Sequence, residues 1–210
     1  MSALNVVRST SVVHIATDGL VGLTTPDGFV LERWLAPKVY LAPHMPMAVA
    51  TRGQWESALA LGISMVRLFS EFDALIDQLE RIFPQLHLAQ RQSTGAPDLH
   101  LFRTTEVVIA GWSTARSQAE AYYIWGGDES DFPGCSCPPF TLMWLDGACC
   151  APVPSQHIEI EPAGEHVERD LLAIMDAQRA EFPQKVGGFC QLTSLTQHAV
   201  TQRILRRWTA

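Results

Sequence analysis

Charge is scarce in this chain. Asp, Glu, Lys and Arg make up 18% of its 210 residues, and only 15 of them are basic, leaving a net charge of −7. A protein that grips nucleic acid carries a basic stripe. Here the basic residues cluster only at Arg203, Arg206 and Arg207, where charge on an edge strand discourages unwanted pairing. Nucleic-acid partners are therefore excluded. No run approaches the ~20 apolar residues that span a bilayer, so no membrane partner is expected. The N-terminus has no charged segment followed by an apolar one, so a secretory leader is not expected and the cytoplasm is the expected location.

Cysteine is also sparse, at five residues, an odd number that suits reduced thiols. Cys135-x-Cys137 and Cys149-Cys150 flank a strand-like segment, but zinc sites favour Cys-x₂-Cys. Adjacent cysteines on a strand also point to opposite faces, so free thiols fit better than a metal. The seven histidines form no ligand pair, and His14 reads as a satisfied core or interface residue. Gly187-Gly188 lacks the remaining glycines and lysine of a phosphate loop. Neither cofactor nor metal is expected.

What is abundant is apolar. Hydrophobic residues reach 47%, enough for one well-buried domain over residues 1–210. Ala3–Val7, Val12–Thr17, Leu20–Leu23, Phe29–Leu31, Lys38–Leu41 and Met47–Thr51 read as strands, with Thr24–Gly28 a turn. The period then changes. Gln54–Phe69 and Glu71–Phe83 read as helices, the first weakened at Gly62 and the second ending before Pro84. Thr105–Trp112, Glu120–Trp125 and Thr141–Leu145 resume the sheet, with Gly126–Pro139 a long loop. Val167–Phe182 is a helix, and Phe189–Thr196 with Ala199–Trp208 a closing hairpin. Strands, helices, strands, a helix and a hairpin suit an α+β fold of two packed sheets covered by helices.

The chemistry concentrates in the first forty residues. With Met1 removed, Ser2 carries a hydroxyl and an α-amine in one residue, and such an amine titrates near about 7.7–8.0. It can take the hydroxyl proton at neutral pH, which makes Ser2 a self-contained nucleophile and base. Asp18 closes one apolar strand and Lys38 opens another. Paired, they would set a positive field beside Ser2.

These residues carry a resemblance. The run VVHIATDG, followed by LAPKVYLAPHMPMAVATRG, resembles the start of a proteasome β-type subunit, of the N-terminal-nucleophile hydrolases. Ser2 and Asp18 stand sixteen positions apart, the family's own spacing. Asp18 to Lys38 is longer, at twenty, and a longer hairpin around Leu23–Gly28 takes up the difference. Val186–Leu192 is similar to the family's Gly-Gly segment. The resemblance implies a four-layer αββα sandwich, a peptide or amide substrate and self-association into a homo-oligomer. It implies roles for Ser2 as nucleophile, Asp18 and Lys38 as its supporting pair, and Gly53 as oxyanion donor.

The departures are specific. Pro183 and Val186 stand where the family has an accessory aspartate and serine, and Leu145–Ala151 holds no Gly-Ser-rich turn. Gly53 sits one residue out of register. A second register is open, in which Asp18-Gly19 is a hairpin turn and Ser9–Ser11 begin the first strand. The alternative function is a non-catalytic scaffold or assembly protein.

Overall fold

The computed structural model describes residues 2–24, 30–52, 55–93, 106–126, 140–151, 153–155, 158–162 and 164–208. Within them the chain opens with β1 (Leu4–Arg8), β2 (Val13–Asp18), β3 (Leu20–Thr24), β4 (Val30–Leu35), β5 (Val39–Leu41) and β6 (Met47–Arg52). Helices α1 (Trp55–Leu68) and α2 (Phe72–Ser93) follow, then β7 (Glu106–Ser113), β8 (Gln118–Gly126), β9 (Phe140–Trp144) and β10 (Gly147–Ala151). Helix α3 (Val167–Glu181) precedes β11 (Phe189–Leu195) and β12 (Val200–Arg207). The fold class is α+β.

Two five-stranded antiparallel sheets carry the fold, in the orders β10-β1-β2-β11-β12 and β5-β6-β7-β8-β9, with β3-β4 as a separate two-stranded ribbon. Strand alternation sorts the apolar side chains, because successive residues point to opposite faces. In β6, Ala48 and Ala50 join Leu4, Val6, Ile15 and Val108 in a cluster shared by both sheets. Met47 and Val49 face the other way, onto Met65 of α1 and Leu75 and Leu79 of α2. In the other sheet Val7, Ala16 and Leu192 turn toward Leu171 and Met175 of α3. Gly62 also has a packing role: a Cβ there would come within 2.8 Å of Val49 Cγ1, so the glycine lets α1 approach β6.

Two elements depart from expectation. Helix α2 continues through Pro84 to Ser93. An interior proline removes its own N–H bond to the carbonyl one turn back and its ring crowds that carbonyl, together a cost of about 3 kcal/mol that this helix bears. Strand β10 forms over Gly-Ala-Cys-Cys-Ala, pairing Leu4–Arg8 with Ala151–Gly147. Its composition carries no strand signal; the edge of β1 supplies the pairing. The basic cluster does lie on an edge strand, β12, where Arg203 and Arg206 pair with Glu168 and Asp176 of α3. No described helix is long and apolar enough to cross a membrane.

Candidate functional site

Antiparallel pairing of β1 with β2 places Leu4 opposite Thr17, so Ser2 and Ala3 lie beside Asp18 at one end of the sheet. Ser9 and Ser11 are at the far end of the hairpin, bonded to each other, and Ser9 also donates to the Val12 carbonyl. The chain therefore adopts the register that begins at Ser2. Asp18 forms no hairpin turn with Gly19. The chain leaves the sheet there to enter the β3–β4 ribbon.

Asp18 is fully buried, and its carboxylate accepts four hydrogen bonds. Oδ1 takes the Ala3 N–H at 2.8 Å and Lys38 Nζ at 2.5 Å, and Oδ2 takes the Leu20 N–H at 3.1 Å and the Gly187 N–H at 3.2 Å. Lys38 is 2% exposed and is fixed through its own carbonyl, which accepts from the Thr51 N–H at 3.1 Å. Burial pushes its ammonium below the ordinary lysine value. The Asp18 carboxylate opposes that shift, and the Arg52 guanidinium adds to it. A buried ion pair is a weak source of stability, because desolvation offsets the Coulomb attraction. Perturbed, buried titratable groups of this kind cluster at functional sites.

Ser2 is buried. Its carbonyl oxygen accepts from Arg52 Nε at 2.7 Å, while another arm of the same guanidinium donates to Glu106. Arg52 and Glu106 are directly opposed on β6 and β7. Behind them, burial and the neighbouring Glu106 carboxylate hold the Tyr123 phenol well above its ordinary value. Neither Arg52 nor Glu106 is singled out by the sequence. The one local sign is a charge at the inward-facing position closing β6, next to Gly53. Gly53 itself lies outside the described residues.

The Gly187-Gly188 segment meets the site through its backbone. Pro183 is exposed and Val186 lies in the core against α3, so the contact with Asp18 falls to the Gly187 N–H. Gly188 has φ +76°, a left-handed conformation that glycine adopts at little cost. A Cβ there would lie 2.4 Å from Leu35 Cδ2. Among the described residues no group of His, Cys, Asp or Glu is arranged to hold a metal. Cys149, Cys150 and Cys190 are free thiols, and Cys135 and Cys137 lie outside the described residues.

A solved structure, the Anbu (Gly-1) mutant from Hyphomicrobium sp. strain MC1, matches the fold with a TM-score of 0.67 over 98% of this chain and 88% of that one. The chain shares the fold of that protein. Sequence identity to Anbu is 10%, a level at which likeness shows fold alone. No family model matches the chain, and no curated protein matches it. The identification as a member of the proteasome β-type N-terminal-nucleophile hydrolases is corrected accordingly. What the chain shares is the arrangement of a fold with Anbu, and three short motifs do not amount to a family. Buried alternation can specify such an arrangement through many different sequences, which is why the likeness persists where residue identity has gone.

Proposed function

We propose that the chain is an amide-bond hydrolase whose nucleophile is Ser2, freed by removal of Met1. The observation that carries this reading is the buried Lys38–Asp18 pair, bonded through Asp18 Oδ1 to the amide of the residue next to Ser2. The α-amine takes the hydroxyl proton as Ser2 Oγ attacks the carbonyl carbon. It then returns that proton to the leaving amine, leaving an ester on Ser2 Oγ. A water, deprotonated by the same amine, cleaves the ester and regenerates the hydroxyl. The Lys38 charge favours the unprotonated amine, Asp18 holds Lys38, and the Gly53 N–H is the proposed donor to the oxyanion.

A peptide is the proposed substrate class, and residues 1–210 the working domain, layered as an αββα sandwich. Three core clusters support that layering, one shared by the sheets and one between each sheet and its helices. Likeness of fold to Anbu supports a homo-oligomer, and the free thiols suit a cytoplasmic setting. Ser2→Ala in a chain whose intact mass shows loss of Met1 is expected to abolish turnover of fluorogenic peptide amides. Unchanged turnover would end the reading.

A non-catalytic scaffold is the second reading. It is favoured by Pro183 and Val186, which leave the Gly187 segment without accessory side chains at the site. Quantitative retention of Met1 in the purified protein supports it over the hydrolase.

A further inference from the structure

The peptide unit joining Ser2 to Ala3 is gripped at both of its polar atoms by side chains from different sheets. Its N–H donates to Asp18 Oδ1, on β2, at 2.8 Å. Its carbonyl oxygen accepts from Arg52 Nε, on β6, at 2.7 Å. A peptide is planar and offers one donor and one acceptor, so holding both fixes the plane and places the Ser2 Cα. Arg52 is itself immobilised, because its planar fork also engages Glu106, its cross-strand partner. Glu106 is 7% exposed and Arg52 is half-buried.

We propose that Arg52, anchored by Glu106, is a positioning residue that aims the N-terminal Ser2 at the bond it attacks. This rests on the reading of Ser2 as the nucleophile. The alternative, a purely structural tie, does not account for the choice of side chain. A buried ion pair can be replaced by apolar groups with little loss, whereas a guanidinium held at Ser2 does two things an apolar pair does not. It sets the geometry of the terminal residue, where misplacement by about 1 Å costs roughly a hundredfold in rate. It also adds positive charge beside the α-amine. The charged groups around the Ser2–Ala3 peptide are Lys38 and Arg52, which would favour a neutral α-amine, and Asp18 and Glu106, which would oppose them; Tyr123 neighbours Glu106. Removing Arg52 therefore raises the pKa of the amine and moves the acid limb of the rate profile to higher pH.

The test compares wild type with Arg52→Gln, Arg52→Lys, Glu106→Gln and Ser2→Ala. Each is the full chain with Met1 removed, assayed on a fluorogenic peptide amide across pH. The amine is titrated separately by competitive acetylation and mass spectrometry. Arg52→Gln is expected to lower kcat roughly 10–100-fold at nearly constant KM, on the scale of lost alignment, and to raise the amine pKa. Arg52→Lys keeps the charge and should lose kcat with the amine pKa unmoved. Glu106→Gln should lose kcat through a loosened Arg52. Folded variants that retain wild-type kcat and amine pKa, while Ser2→Ala is dead, would overturn the role of Arg52 alone. Turnover that survives Ser2→Ala would instead remove the Ser2 reading and this proposal with it. If Arg52→Gln fails to fold, the lysine and Glu106 variants decide.

Discussion

At Asp18, three of the four hydrogen bonds come from backbone amides and one from Lys38. The two partners should therefore respond differently to removal. Lys38→Met leaves a carboxylate still bound by three N–H groups. Asp18→Ala strands those N–H groups together with a buried ammonium. Asp18→Ala is expected to cost about 3–5 kcal/mol or more, and Lys38→Met clearly less, as urea unfolding would show. Equal losses would contradict this account. Thr17 gives the opposite sign. Among the described residues its Oγ1 is buried without a partner, so Thr17→Val should raise stability by about 1 kcal/mol, the desolvation cost of an unpaired hydroxyl.

His14 adds a pH dependence of known direction. Its Nδ1 lies 2.9 Å from Ser194 Oγ. Burial lowers its pKa; Glu168 opposes that shift and Arg203 adds to it. The folded state thus binds its proton less readily than the unfolded chain. Its contribution is present above the unfolded value of about 6.5 and is lost as pH falls through the lower folded value. His14→Gln should flatten that part of the stability-versus-pH curve. That Ser2, Asp18 and Lys38 stand at strand ends is legible in the sequence, because strand ends are local features, while their roles belong to the proposal. Arg52 and Glu106 were not, because their meeting depends on the register of β6 against β7, which fifty-odd intervening residues leave unspecified.

At the scale of elements, strands that are short continuous apolar runs are readable to within a residue or two, as in β6 and β7. Misses came where strand pairing or helix continuity overrode local preference. Strand β10 exists because β1 has an edge to pair, and α2 runs past its proline because bonds on either side of the gap persist. That second case is testable. Pro84→Ala restores one backbone hydrogen bond within a helix and should raise the thermal midpoint, the gain staying below the roughly 3 kcal/mol that proline costs in a helix interior. A lowered midpoint would show that Pro84 serves a bend the surrounding packing requires.

For the whole molecule, the sheets meet through small residues such as Ala48, Ala50, Ala110 and Ala121, while the larger side chains Met65 of α1 and Phe72 and Leu79 of α2 pack with Met47 and Val49 on the other face of β6. Self-association is part of the proposed function. Sedimentation at high concentration should show a species larger than one chain, and a strict monomer would count against that part of the proposal.

Chain termini ordinarily fray, exchanging their amide protons almost freely. Here the third residue donates its amide to a carboxylate in one sheet, while the carbonyl before it is bound by the other. The buried Ala3 proton can exchange only when its bond to Asp18 opens. Its exchange should therefore be slow, and Asp18→Ala should speed it, as hydrogen-exchange mass spectrometry would show.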